Sequence, residues 1–228
     1  MNTDTQQAAE VLQMFPIFEG VSPEELEQIA SHATIEQCKK HHKIYNSGER
    51  ADRLYFLIKG AVKIARHSDE EREVIKHILH PMAMFGELSL TGEQRRQDYA
   101  VCMKSNTQLI VIKTVHLQQL MRRNHSLSMR ALHFIGRRLQ SAEHRLESLI
   151  FKDARERIIE FLKESAREQG KKIGYETLIK HSLTQQDIAN ITGTSRQTVT
   201  SVMNDLRKSN LIYFNRRSIL IRDLGKLA

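Results

Sequence analysis

The chain has 228 residues, 40% of them hydrophobic and 27% charged, which supports buried cores in one large domain or two modest ones. Its net charge of +8 is uneven: residues 151–228 hold 15 Lys and Arg against 9 Asp and Glu, and residues 1–150 hold 20 against 18. The excess therefore sits at the C-terminal end, as binding to a polyanion requires, and two cysteines, Cys38 and Cys102, are too few for a four-cysteine iron–sulfur site or zinc ribbon.

The start, Met1 to Gln7, lacks the basic and apolar regions of a secretion signal. The apolar run Leu109–Ile112 is far too short to span a membrane. With the cysteines read as reduced thiols, these features predict a cytoplasmic protein. A first short helix is expected after Val21, capped by Ser22, opened by Pro23 and favoured by Glu24 and Glu25 near its positive end. From about Ile35 to Lys113 short β-like runs follow, among them Leu54–Ile58, Ala61–Ala65, Val74–Leu79 and Leu109–Ile112. Lys59-Gly60 and Asp69–Arg72 mark turns between them, and such spacing predicts a compact antiparallel barrel or roll.

The period then changes. Leu132, Ile135, Leu139, Ala142, Leu146 and Leu149 alternate steps of three and four, flanked by Arg137, Arg138, Glu143, Arg145 and Glu147. This is a heptad seam on one long helix. It predicts either a dimer coiled coil or a stripe packed on the chain's own barrel, and a following two-fold DNA reader favours the dimer. Asp153 is expected to cap a further helix over 154–167.

Residues 182–206 read as two short helices joined at Gly193. Thr184 caps the first, Asp187 complements its free amides, and Ile188, Ala189 and Ile191 form its buried side. Gly193 supplies the tight turn and Ser195 caps the second helix. Val199, Val202, Met203 and Leu206 share one face of that helix. Arg196, Gln197, Thr200 and Ser201 leave its N-terminal turns polar, as entry to a major groove requires. Beyond Asn210, Leu211–Phe214 and Ser218–Arg222 flank Asn215-Arg216-Arg217, a β-hairpin wing with a basic tip. An ordinary helical hairpin with a polar face is the plainer reading; local basicity and position favour double-stranded DNA.

These features in this order resemble the CRP/FNR family of bacterial transcription regulators. The carrying residues are Phe15–Ser22, Tyr55–Gly60, Phe85–Leu90 and Ser195–Val199. The resemblance implies an α+β fold: an effector-sensing, cyclic-nucleotide-binding-like β-roll (1–122), a dimerisation helix (123–152) and a winged helix-turn-helix (153–228). It also implies a homodimer on a palindromic site, with RNA polymerase as a further partner and no membrane.

In cyclic-nucleotide-binding members the matching segment, Gly86, Glu87, Leu88 and Ser89, holds the cyclic phosphate on backbone amides, with Glu87 on the ribose. Glycine before a helix start suits an anion; the same segment could instead merely shape the roll. The family arginine and its following hydroxyl residue align with Gln97 and Asp98, so the cation is missing unless a loop shift brings in Arg95 or Arg96. A carboxylate about 4 Å from the phosphate would repel it by roughly 4 kcal/mol at an effective dielectric near 20. The expected effector is therefore not cyclic AMP, and a constitutive regulator with a vestigial pocket stays open. No cofactor is identified beyond an effector of unknown chemistry, and no metal is expected, because His41, His42, His77 and His80 lack ligand spacing. There is no nucleophile motif, zinc helix or phosphate loop of an enzyme.

By the same resemblance Arg196 and Gln197 read bases, with Ser201 a third candidate, since guanidinium suits guanine and amide suits adenine. Thr184, Gln185, Ser195 and Arg217 are expected on phosphates, and Gln186 and Thr200 at the same surface.

Overall fold

The computed structural model describes residues 3–227; Met1 and Asn2, part of the stretch read for a secretion signal, and Ala228 lie outside it. The chain divides into two compact units, one ending at Ser141 and containing all earlier residues except Arg72–Ile75, the other formed by Arg72–Ile75 and the residues from Ala142 on. No helix among the described residues is long and apolar enough to cross a membrane.

The first unit opens with helix α1 (Thr3–Gln13), which the sequence reading did not anticipate, and a 3₁₀ turn, Pro16–Phe18. Helix α2 (Pro23–Ala30) starts as expected: the Ser22 hydroxyl accepts from the Glu25 amide, and Glu25 returns the bond to the Ser22 amide. Strands β1 (Ala33–Cys38), β2 (Lys43–Tyr45), β3 (Arg53–Lys59), β4 (Val62–His67), β5 (Glu73–Leu79), β6 (Met84–Phe85), β7 (Tyr99–Cys102) and β8 (Thr107–Lys113) follow. They form two four-stranded sheets in the orders β1-β8-β3-β6 and β2-β7-β4-β5.

Strand β3 explains why its run is apolar without alternation. Leu54 and Phe56 face one core with Phe15 and Phe18; Tyr55 and Leu57 face the roll interior with Val62, Ile64 and Phe85. Successive side chains point to opposite faces, and here both faces are covered. Strand β8 repeats the device, with Ile110 and Ile112 outward and Leu109 and Val111 inward. Phe15 and Phe56 meet edge to face at 5.2 Å, clamping the N-terminal turn onto the sheet. Helix α3 (Thr114–Arg123) leads into helix α4 (His125–Phe151), which carries the seam.

The second unit contains α5 (Ala154–Gln169), capped by Asp153, then β9 (Lys171–Ile173) and β10 (Glu176–Lys180). The helices α6 (Gln185–Thr192) and α7 (Arg196–Lys208) and the wing strands β11 (Ile212–Phe214) and β12 (Ser218–Ile221) complete it. Its sheet runs β11-β12-β10-β9, so the unanticipated hairpin β9–β10 extends the wing into four strands. Ile158, Leu162, Ile188, Ala189, Val199, Leu206 and Ile221 form the core. Ile191, expected among the buried residues of α6, is only half-buried, and Thr192 is buried instead. The Thr192 hydroxyl is satisfied there by the Ile188 carbonyl at 2.8 Å.

Candidate nucleic-acid interface and effector pocket

Helix α6 ends as its sequence dictates. Gly193 takes φ +62°, a left-handed conformation that glycine adopts without strain, and its amide returns to the Ala189 carbonyl. At the other end Thr184 and Asp187 cap each other's backbone amides. The Ser195 hydroxyl accepts from the Thr198 amide at 3.0 Å and starts α7. Arg157, absent from the sequence reading, fixes the turn: its guanidinium donates to the carbonyls of Thr192 (2.8 Å), Gly193 (3.2 Å) and Lys152 (2.7 Å). Nothing in local sequence marks it, because two of its three acceptors, the carbonyls of Thr192 and Gly193, lie 35 and 36 residues away.

On the outer side Arg196, Gln197 and Ser201 are exposed while Val199, Val202, Met203 and Leu206 are buried. Thr200 is committed within the protein, donating to the Arg196 carbonyl and pairing with Gln185 Oε1 at 2.7 Å, which ties α7 to α6. Gln186 is exposed and bonds Asn190 along α6. At the wing tip the Asn215 side chain accepts from the amides of Arg217 and Ser218, leaving the side chains of Arg216 and Arg217 exposed. The surface is a capped helix start and a basic hairpin tip, rich in donors that duplex DNA accepts.

Helix α4 leaves its seam uncovered. Leu132, Leu139, Leu146 and Leu149 are exposed, Leu139 by 60%, while Ile135 is half-buried and Ala142 exposed. The stripe is therefore not spent on the chain's own roll.

In the roll, Gly86 takes φ +80° and leads a five-residue 3₁₀ turn, Glu87–Thr91. A Cβ on Gly86 would lie 2.9 Å from the Arg53 carbonyl oxygen, so the position excludes other residues twice over. The Ser89 amide and hydroxyl both turn back to the Gly86 carbonyl, so this turn keeps part of its donor capacity for itself. Leu88 is exposed.

The stretch after Glu93 alternates in burial, and Gln97, aligned with the family arginine, turns out of the roll. Arg95 and Gln97 face solvent, while Arg96 (3% exposed) and Asp98 (8%) are buried. Neighbours on an extended chain face opposite ways, so Gln97 and Asp98 cannot both enter the pocket. The inward cation is Arg96. Its guanidinium lies 4.7 Å from the Tyr45 ring centre and donates to the carbonyls of Gly86 and Arg53 and to the Glu93 carboxylate. Asp98 does not stand alone as a repelling charge: Lys76 Nζ lies 2.8 Å from it and the Tyr45 hydroxyl 3.2 Å. Burial is the main cause raising the Glu87 carboxyl above its ordinary range, and Arg138, 3.3 Å away, acts against it. Arg95 instead donates to the Gly48 carbonyl at the surface.

Cys38 and Cys102 are buried free thiols, Cys102 pushed up to about 12 chiefly by burial. Among the described residues no three His, Cys, Asp or Glu side chains converge on one metal position.

Residues 35–124 match the cyclic nucleotide-binding domain and residues 156–228 the Crp-like helix-turn-helix domain. A CRP-like cAMP-activated global transcriptional regulator of Mycobacterium tuberculosis is 31% identical over 96% of this chain and 97% of its own length. This chain belongs to the CRP/FNR family of transcription regulators. Within that family a global nitrogen regulator of Nostoc is 30% identical over 82% of this chain and 84% of its own. FixK2 from Bradyrhizobium japonicum shares the fold, with a TM-score of 0.77 at 22% identity over 86% of this chain and 95% of that one. Like its relatives, this CRP/FNR member pairs an effector-type domain with a DNA-binding one. Two relatives of nearly equal likeness bear different regulatory names, so family membership alone does not name the signal.

Proposed function

We propose that this CRP/FNR regulator is a cytoplasmic homodimer that binds palindromic DNA and is set by a small phosphate-bearing ligand in the roll. The functional division follows the segments 1–122, 123–152 and 153–228. The exposed leucine seam of α4 supports the dimer, because a strip of this regularity gains by pairing with its own copy. In that dimer the recognition helices enter successive major-groove faces about 34 Å apart. Arg196 and Gln197 read base edges, with Ser201 beside them. Thr184, Gln185, Ser195 and Arg217 hold phosphates, and Gln186 and Thr200 complete the surface. RNA polymerase enters as a partner on the family resemblance alone.

The observation that carries the ligand reading is Arg96, a buried guanidinium that donates to the carbonyl of Gly86, the residue directly before Glu87. It supplies the positive charge that the Gln97 alignment lacked, and cyclic nucleotides become the leading ligand class. A ligand acts by binding one arrangement of the dimer better than the other. A second reading rests on the same side chain: Arg96 already has acceptors in Gly86, Arg53 and Glu93, which suits a roll that needs no ligand and a regulator that binds DNA constitutively.

Titration calorimetry of the full chain with cyclic AMP, paired with DNA binding in its presence and absence, separates the two. Saturable heat with a change in DNA affinity supports the effector; no heat and unchanged DNA binding supports the constitutive protein.

A further inference from the structure

A second cleft lies in the first unit, outside the roll interior. It has a volume of about 310 Å³ and is lined by the Phe15–Ile17 turn, Met82, Met84 and one face of α4. That volume falls at the lower end of small-molecule sites. The α4 face is Phe134, Arg137, Arg138 and Ser141, at steps of three, one and three. At 3.6 residues per turn its centre lies roughly 130° around the helix from the leucine seam. None of these four residues is a seam position, although Arg138 lies one turn from Ala142 at the seam's edge.

The walls are held rather than loose. Arg130 Nε donates to the Ile17 carbonyl at 2.8 Å, tying the N-terminal turn to α4. Arg138 lies over the Phe134 ring, 5.3 Å from its centre, and donates to the Met84 carbonyl. Two methionines give one wall the freedom to fit different apolar shapes. The polar side is one-signed. Arg138 shares its charge with Glu87, but Arg137 is exposed, has no carboxylate within ion-pair distance among the described residues, and no acidic side chain lines the cleft.

An apolar floor with one uncompensated guanidinium at its rim is complementary to an apolar body carrying a single anionic head. From this we infer that the cleft is a binding site for a small amphipathic carboxylic acid, adjoining the Arg96 pocket through the Arg138–Glu87 pair.

Titration calorimetry of the full chain with decanoate, and with decanol as the uncharged counterpart, tests it. The expected result is saturable decanoate binding at one site per chain, with decanol at least tenfold weaker. Arg137→Gln, at an exposed position, should remove that preference by weakening decanoate about tenfold while leaving decanol unchanged. Ser141→Trp, also exposed, should fill the cleft and abolish both, with circular dichroism showing the fold retained. Absence of decanoate binding to the wild type, or binding untouched by Ser141→Trp, overturns the site. Binding lost in Ser141→Trp but indifferent to Arg137→Gln overturns the anionic ligand class.

Discussion

The buried Arg96 guanidinium and the half-buried Glu93 carboxylate, three residues apart, form an ion pair at 3.3 Å inside the effector domain. The protein thus places its own carboxylate on the guanidinium proposed above to meet a ligand phosphate. A phosphate entering this pocket competes with Glu93 for Arg96. Glu93→Gln keeps the shape and removes the competing charge, so cyclic AMP affinity should rise by about tenfold, or 1.4 kcal/mol. Calorimetry on the two proteins checks it; equal affinities would mean that Arg96 does not face the ligand.

Glu87 makes stability pH-dependent. Burial raises its carboxyl in the folded state despite Arg138, so the native protein holds this proton more tightly than the unfolded chain does. Its contribution is fully present below the ordinary carboxylate value and is lost as pH rises through the folded one. In urea melts across that window the stability of the wild type should fall with rising pH relative to that of Glu87→Gln, which lacks this titration. Parallel profiles would exclude Glu87 as the source.

Leu139→Glu should give monomers. The new charge would lie against its own copy across the two-fold axis, combining desolvation with like-charge repulsion. Loss of the linked second half-site should weaken DNA binding on the order of a hundredfold. Light scattering that still reports a dimer would move the interface off the seam.

Arg217→Ala should weaken DNA binding evenly across sequences and lower the salt slope by about one unit, as removal of one phosphate contact does. An altered base preference with an unchanged slope would reassign the wing tip to base reading.

Where the signal was local, the sequence was readable. Ser22, Asp153, Thr184 and Ser195 all cap the helices that their spacing marks, and the wing forms around Asn215–Arg217. The 3-4 spacing from Leu132 to Leu149 lies on a single helix. Helix α1 was missed because its apolar residues are few, and β9–β10 because its first strand, Lys171–Ile173, is fully exposed. The burial of residues 95–98 was not legible: Arg96 and Asp98 turn inward, Arg95 and Gln97 outward. Glycine-led turns and a short loop leave the inward parity of residues 95–98 undetermined by spacing alone. It is settled by pairings distant in sequence, such as Arg96 with Arg53 and Asp98 with Tyr45 and Lys76. Arg157 belongs to the same class, a side chain whose purpose appears only once its backbone acceptors are assembled.

Sequence-specific reading by the α7 helix start is the centre of the account, and selection from a randomised duplex library tests it most directly. Wild type should enrich two-fold symmetric sites with half-site centres about one helical turn apart. Arg196→Ala should lose about 1–3 kcal/mol on those sites and relax one base position in each half. Enrichment of no symmetric site, or a uniform loss across all sequences in Arg196→Ala, would contradict it.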